Sequence, residues 1–393
     1  MSTFDLLEII CLLLPVAALS GWYLGKRSRV GVNSKGITLS SDYYVGLNFL
    51  LNEQTDKAVD AFIRMLDASP DSIETTIALG NFFRRQGEVD KAIRIHQSLI
   101  SNPNLTSKQR NQSLLELAQD YLRAGVFDRA ESLLLELTQS VGNQLEVSLR
   151  HLVDIYEREK DWEKAIQITT RLQTVTRQSM GSDIAHYYCE LAESAWSKGK
   201  IKLAFKYLKQ GLEHDDHCAR ISFIQGDFEK KLGRFRHALR AYKRIEFQDA
   251  AFLPEALPMI IECHERIDEH EALEEYLNYL LEHCPTISVI LIHAEKVKNK
   301  QGKEKAAHFL ANYMHRHPSI RGLKHLIEFH LSRVMGDVRN ELLMLKSLVE
   351  QLLEKKPVYR CGKCGFPSRL LHWQCPSCRQ WASLKPIQGI EGE

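Results

Sequence analysis

Apolar residues between Asp42 and about Glu354 recur with the period of an α-helix, and the pattern is interrupted every dozen or so residues. Interruptions of this kind mark turns between short amphipathic helices. Glycine and proline are sparse, at 21 and 11 of 393 residues, and apolar residues make up 44% of the chain. Pattern and composition together predict an all-α protein.

Pairs of small residues that stand twelve positions apart recur along this stretch and give it a repeat. They are Gly46/Ala58, Gly80/Ala92, Ala118/Ala130, Ala192/Ala204, Gly226/Ala238 and, less clearly, Ala294/Ala306, with Val153/Ala165 as a variant. A turn is expected seven positions after the first member, and glycine stands there at Gly87, Gly125, Gly199 and Gly233. Small residues let two antiparallel helices approach closely, and one such pair cannot bury its apolar face alone. We therefore expect a stack of about six clear repeats and two or three degenerate ones.

This pattern resembles the tetratricopeptide repeat from residue 42 to about 245, and it loosens after Ala250, where Glu262–Ala272 lacks the turn glycine. The resemblance implies a right-handed solenoid over residues 42–355, whose concave face suits extended or helical protein ligands. The repeat register places a candidate partner-binding groove on the first helix of each pair. Each of its residues could also be an ordinary solvated position: Asn81, Arg84, Arg85, Gln119, Arg123, Asp154, Arg158, Glu193, Trp196, Asp227, Lys230 and Lys231.

The segment Leu6–Leu24 contains 19 residues and a single charge, Glu8. At ~1.5 Å per helical residue it nearly matches a hydrocarbon layer of ~30 Å. A cleaved signal peptide is the alternative, but the basic residues follow this segment instead of preceding it. The positive-inside rule then places the main body in the cytoplasm. We predict a transmembrane anchor at residues 1–25 and a juxtamembrane linker at 26–41.

Charge and motif content argue against two classes of protein. The chain has 52 Lys and Arg against 50 Asp and Glu, whereas a dedicated nucleic-acid binder normally carries a basic surface. His264 and His270 are six residues apart, unlike the four-residue step of a zinc-protease helix, and no Gly-x-Ser-x-Gly motif occurs. The run His214–Cys218 has metal-ligand residue types, but it lies in a predicted loop and we expect no metal there. The sequence predicts a protein that is not an enzyme.

Four of the nine cysteines lie near the end of the chain, in the pairs Cys361-x2-Cys364 and Cys375-x2-Cys378. Each pair can direct two thiolates at one ion, which suits a closed tetrahedral site for zinc or iron. Two disulfides or redox-active pairs are the alternatives. The other five cysteines favour a reducing compartment and hence the metal, because they are scattered: Cys11, Cys189, Cys218, Cys263 and Cys284.

We call residues 357–393 the four-cysteine domain. It is too short to form a core of its own, so a bound metal would supply its folding free energy. Phe366, Trp373 and Trp381 are many large apolar groups for so short a segment, and they need a surface to cover. We therefore expect this domain to fold back onto the last repeats, against the end of the solenoid or across its groove.

The motifs CGKCG and CPSC resemble the metal-binding knuckles of rubredoxin, although the spacer is shorter and Arg379 stands in place of the second glycine. The resemblance implies one iron or zinc ion held by four thiolates, without implying electron transfer. Essentially the whole chain resembles the lipopolysaccharide assembly protein B family of Gram-negative bacteria, through stretches such as LLLPVAALSGWYLGKRS, GEVDKAIRIHQSL, AHYYCELA and CGKCGF.

The second resemblance implies an adaptor at the cytoplasmic face of the inner membrane. Such an adaptor lowers lipopolysaccharide synthesis by promoting degradation of the deacetylase of the committed lipid A step through the FtsH-type membrane protease. Other lipopolysaccharide assembly proteins are implied as partners, a homodimer is allowed, and no nucleic acid is expected. Two alternatives stay open: a membrane-tethered electron carrier, or a zinc-ribbon nucleic-acid binder that uses Lys363, Arg369, Arg379 and Lys385.

Overall fold

The computed structural model describes residues 41–392 except 53, 69–72, 140–143, 332–333 and 391, together with the single positions 15, 19, 20 and 22. The chain divides into two compact units, Met1–Leu137 and Thr138–Glu393. Apart from those single positions, the predicted anchor and the linker up to residue 40 lie outside the described residues. Among the positions that are described, no helix combines the length and the apolar character needed to span a membrane.

The described residues form eighteen α-helices, one short 3-10 helix at Ala250–Phe252 and three short strands. The helices up to residue 139 are α1 Ser41–Leu51, α2 Thr55–Ala68, α3 Ile73–Gln86, α4 Val89–Ile100, α5 Ser107–Ala124 and α6 Phe127–Gln139. Their amphipathic faces meet in clusters such as the one that joins Ala58, Phe62, Phe83 and Ile95. The all-α prediction is confirmed for this part of the chain.

The second unit continues with helices and ends in the strands. Its helices are α7 Leu145–Glu159, α8 Trp162–Thr176, α9 Gly181–Ser197, α10 Ile201–His214, α11 Ala219–Lys231, α12 Phe235–Gln248, α13 Leu253–Arg266, α14 His270–His283, α15 Ile287–Gln301, α16 Lys303–Arg316, α17 Ile320–Leu331 and α18 Asp337–Lys355. The strands β1 Tyr359–Cys361, β2 Pro367–Ser368 and β3 Leu384–Pro386 form an antiparallel sheet in the order β2-β1-β3, with Cys361 opposite Leu384.

The small residues of the repeat lie where the two helices of a pair meet. Ala58, Ala92, Ala204 and Ala238 have no exposed surface. A side chain at Gly46 would come within 2.8 Å of the Phe62 ring. Gly80 and Gly226 are blocked in the same way by the residue sixteen positions later, His96 and Tyr242. The first member of each of these pairs must be small because a large ring from the next helix fills the space beside it.

The predicted turns adopt the left-handed conformation, with φ between 72° and 85° at Gly87, Gly125, Gly199 and Gly233. At the corresponding turns after α7 and α13, Lys160 and Asp268 adopt φ of 58° without being glycine. That conformation costs a non-glycine residue roughly 1–2 kcal/mol. The missing glycine after residue 262 therefore leaves the turn unchanged, and the helices continue in pairs as far as α18.

We expect Gly226→Ala to destabilise the second unit by about 1–3 kcal/mol, because the added methyl group overlaps the Tyr242 ring in a close-packed core. Alanine is the better helix former, so a loss of stability would have to come from packing. Urea unfolding followed by far-ultraviolet circular dichroism measures the change. In a Tyr242→Leu background the same substitution should cost less, and strictly additive losses would contradict the steric explanation.

Candidate metal centre and its docking face

The four cysteine side chains of the four-cysteine domain converge on one point. The Sγ atoms of Cys361 and Cys378 are 3.7 Å apart, as are those of Cys364 and Cys375, and all four lie within 4.8 Å of one another. A tetrahedral zinc ion with bonds of about 2.3 Å holds its sulfurs about 3.8 Å apart. The observed spacing fits one such ion. It is far longer than the ~2.05 Å of a disulfide bond, and these four cysteines form no disulfide with one another.

Hydrogen-bond donors surround these sulfurs. Ser383 Oγ lies 3.3 Å from Cys361 Sγ, and the backbone N–H groups of Lys363 and Cys364 donate to the same sulfur at 3.4 and 3.5 Å. The Ser383 hydroxyl first, and then these N–H groups, lower the pKa of Cys361 to about 6. The N–H of Phe366 lowers the pKa of Cys364. At Cys361 and Cys364 these donors favour the thiolate, which is the form that binds a metal ion.

Both cysteine pairs close with the same turn. Gly365 N donates to Cys361 O at 3.0 Å, and Arg379 N donates to Cys375 O at 2.8 Å. Gly365 has a φ of 76°, and Arg379 adopts 59° although it carries a Cβ. The arginine makes side-chain contacts that glycine could not make. Its Nη1 donates to Asp154 at 2.6 Å, and its Nη2 lies 3.5 Å from Glu157. The departure from the rubredoxin pattern therefore holds this domain against α7.

Further polar contacts join the four-cysteine domain to the repeats of the second unit. Trp381 Nε1 donates to Glu157 at 2.8 Å, and the Tyr359 hydroxyl donates to Glu255. Lys385 pairs with Asp249 at 3.0 Å. Near the end of the chain, the N–H of Ile320 donates to the carbonyl of Ile390 at 2.9 Å. Since these partners range from α7 to α17, the domain extends well beyond the last repeats on which we expected it.

Apolar contacts cover the same surface. The Trp373 ring lies 5.1 Å from that of Phe252 and 5.9 Å from that of Phe223, and Trp381 stacks on His186 at 5.1 Å. The expectation that both tryptophans cover the repeats is confirmed, whereas Phe366 packs inside the four-cysteine domain. We call the contacted surface of the repeats the docking face, formed by Asp154, Glu157, His186, Arg220, Phe223, Asp249, Phe252 and Glu255.

In the first unit the predicted groove residues differ in their surroundings. Arg84 is only 13% exposed and pairs with Glu116 and with the fully buried Asp120. Its guanidinium also donates to Asn81 at 2.6 Å. Arg84 therefore has a structural role. Reversing its charge would leave the buried Asp120 without its cation and would destabilise the fold in addition to changing the surface. Arg85 and Arg123 are exposed, and Gln119 is partly buried.

In the second unit most predicted groove residues contact other parts of the protein. Asp154 accepts from Arg158 at 2.8 Å as well as from Arg379, and Asp227 accepts from Tyr242 at 2.5 Å. Lys230 forms an ion pair with Glu262, and Glu193 forms one with Arg220. The Trp196 ring stacks on the Phe228 ring. Arg158, Glu193 and Lys231 are exposed. A partner-binding role for any of these residues stays a prediction.

Apart from Asp154, the residues of the docking face were not predicted from the sequence. Glu157, Asp249 and Glu255 stand among many acidic residues, and no spacing sets them apart. His186 and Arg220 lie inside helical patterns that are sufficiently explained by packing. The usable signal is the excess of aromatic residues in the four-cysteine domain, which predicted that a covering surface exists but placed it on the last repeats.

The fold and the site define a class: a helical-repeat protein that carries a closed four-cysteine metal domain docked on its own repeats. A tetratricopeptide repeat model matches residues 75–106, and a rubredoxin metal binding domain model matches residues 359–386. The chain belongs to the lipopolysaccharide assembly protein B family.

Relatives of that name match along the whole chain. The one from Escherichia coli K12 is 36% identical over 389 residues, covering 98% of this chain and 100% of the relative. The one from Haemophilus influenzae is 32% identical over 396 residues, with coverage of 98% and 100%. A tetratricopeptide repeat protein of solved structure, from Parabacteroides merdae, is 15% identical to this chain, covers 70% of this chain and 99% of its own, and has a TM-score of 0.31.

Replacing Arg379 by glycine removes the docking contact of its side chain and preserves the left-handed turn of its backbone. R379G should keep the metal, because glycine accepts the left-handed turn, while the contacts to Asp154 and Glu157 are lost. We expect amide exchange in residues 373–386 to accelerate about 10-fold, which corresponds to the roughly 1.5 kcal/mol of a charged hydrogen bond. Hydrogen–deuterium exchange measures this. The matched change at the exposed Arg369 should have no effect, and unchanged exchange in R379G would contradict the docking role.

Cys361→Ser combined with Cys364→Ser should lower the metal content by about one ion per chain, because a tetrahedral site cannot hold its ion with two ligands missing. The four-cysteine domain then loses on the order of 10 kcal/mol of metal-derived folding free energy, while the helices of the repeats stay folded. Metal analysis and circular dichroism measure both effects. Visible thiolate-to-iron absorption of the unchanged protein distinguishes iron from zinc. Cys263→Ser with Cys284→Ser is the control, and unchanged metal content in the first variant would refute the assignment.

Proposed function

We propose that this protein is a cytoplasmic adaptor, anchored in the inner membrane, that limits lipopolysaccharide synthesis. In this proposal it presents the deacetylase of the committed lipid A step to an FtsH-type membrane protease, and it gathers other lipopolysaccharide assembly proteins. Membership in a family named for lipopolysaccharide assembly, over the full length of the chain, is the observation that carries the proposal. Helical repeats of this kind bind protein segments, which supports an adaptor.

The metal centre supports a structural role in place of catalysis. All four of its ligands are cysteines, so an ion held there has no open position for a substrate or a water molecule. The docking contacts of Arg379, Trp381 and Lys385 hold the surrounding domain on the repeats. We propose iron or zinc as the ion, and its task is to keep the four-cysteine domain folded on the docking face.

We place the partner-binding groove on the first unit. Arg85 and Arg123 are exposed there, and Phe82 is 46% exposed, so this unit offers cationic and aromatic groups to a partner. Such groups suit a protein segment that carries acidic and apolar side chains. In the second unit the four-cysteine domain already covers the docking face, including the predicted groove residue Asp154.

The membrane anchor of this proposal rests on residues near the start of the sequence. Leu6–Leu24 is apolar, and Lys26, Arg27 and Arg29 follow it, which favours a segment that leaves the main body inside the cell. Tethering to the membrane raises the effective concentration of the adaptor near a membrane-bound protease and its substrate.

Purification of the full-length protein from its native membranes tests this function. We expect the protease and the lipid A deacetylase to be recovered with it. Arg85→Glu with Arg123→Glu should reduce recovery of the deacetylase about 10-fold, because charge complementarity at the groove is reversed. A chain without residues 1–25 should stay folded, leave the membrane fraction and lose regulation.

Lys202→Glu with Lys209→Glu is the matched control, since both lysines are exposed on α10 and lie outside the predicted groove. This variant makes the same change in net charge and should recover both partners normally. Recovery of nucleic acid or of reductases in place of the two partners would favour one of the alternative functions. Normal recovery of the deacetylase by the Arg85→Glu, Arg123→Glu variant would contradict the assignment of the groove to the first unit.

A further inference from the structure

Three buried side chains with metal-binding groups meet directly beneath the four-cysteine domain. His186 and Cys189 lie about one turn apart on α9, and Cys218 is the residue that precedes α11. One ring nitrogen and the two Sγ atoms all lie within 4.8 Å of one another. The three residues are 1%, 0% and 5% exposed.

The imidazole of this cluster has an unfilled bonding position. Nδ1 of His186 is buried and has no hydrogen-bond partner among the described residues. The face of the ring is occupied by Trp381, which stacks on it with an angle of 17° between the planes. A buried polar atom without a partner lowers the stability of the fold. A neutral imidazole can bind a metal ion through the lone pair of a ring nitrogen, so a metal ion could serve as a partner.

The charges around the cluster are compatible with bound thiolates. Arg220 is buried beside it, lies 5.6 Å from the Trp381 ring and pairs with Glu190 and Glu193 at 2.7 Å. Burial raises the pKa of the Cys189 thiol, whereas a hydrogen bond from Cys189 and, to a smaller extent, the positive charge of Arg220 lower the pKa of the Cys218 thiol. Two thiolates enclosed together need a cation to balance them, and a metal ion provides that balance.

We propose that His186, Cys189 and Cys218 form a second metal site, for a thiophilic cation such as Zn²⁺ or Cu⁺. Two thiolates and an imidazole are the donors that these ions prefer. Donor atoms around a tetrahedral ion stand about 3.5–3.8 Å apart, so side-chain movements of about 1 Å close the site. The run His214–Cys218, where we expected no metal, contributes one ligand. An ion there ties α9 to the start of α11 under Trp381 and stiffens the docking face.

Metal stoichiometry of the unchanged full-length chain tests this site. Reduced, metal-free protein titrated with Zn²⁺ should bind about two ions per chain, one in each site. With Co²⁺ as a probe, the second site should show about half the thiolate-to-cobalt absorption of the first, because it has two thiolates instead of four. A parallel titration with Cu⁺ against a competing chelator determines which cation the second site prefers.

Cys189→Ser with Cys218→Ser should lose about one ion per chain and the weaker cobalt bands, and it should keep the bands of the four-cysteine domain. The control is Cys263→Ser with Cys284→Ser, which removes two cysteines elsewhere in the second unit and should keep both ions. Binding of a single ion by the unchanged chain, with Zn²⁺ and with Cu⁺ alike, would overturn the proposal. That result does not depend on the folding of any variant.

Discussion

One largely buried carboxylate connects the repeats to the four-cysteine domain. Glu157 on α7 is 12% exposed, accepts from the Tyr187 hydroxyl at 2.7 Å and from the Trp381 indole at 2.8 Å, and lies 3.5 Å from Arg379. A buried carboxylate is unfavourable unless donors and charges compensate it. Here the donors come from both parts of the second unit, so neither part alone satisfies Glu157. Glu157 therefore helps to fix the position of the domain on the repeats, together with contacts such as Lys385–Asp249.

Metal binding and docking are therefore linked. The core of the four-cysteine domain consists of only a few buried residues, among them Tyr359, Cys361 and Leu384, so an ion held by its cysteines would supply much of its folding free energy. Only the folded domain can present Trp381 and Arg379 together to Glu157. The repeats have extensive cores of their own, such as the cluster around Tyr242 and Phe252. Loss of the ion should consequently expose the docking face without unfolding the helices.

The features that sequence reasoning predicted are local ones. The small residues of each repeat and the spacing of the four cysteines reflect contacts within a few dozen residues, so their patterns are visible along the chain. Lys160 and Asp268 were not predictable as left-handed turn residues, because surrounding structure imposes that conformation on them. The docking face was hidden for a different reason: Trp381 and Glu157 are separated by 224 residues, and nothing in the sequence joins them. Arg379 departs from the rubredoxin pattern, and the same residue makes the contact between the four-cysteine domain and α7.

The docked domain also changes what the repeat fold implies about recognition. Helical repeats bind protein segments, and in the second unit part of the repeat surface is covered by the chain's own terminal domain. Arg379 reaches Asp154, which the repeat register had assigned to a partner. A partner that used this surface would have to displace charged and aromatic contacts that are already satisfied. Exposed groups such as Arg85 and Arg123 impose no such cost, so partner recognition by the first unit is the less demanding arrangement.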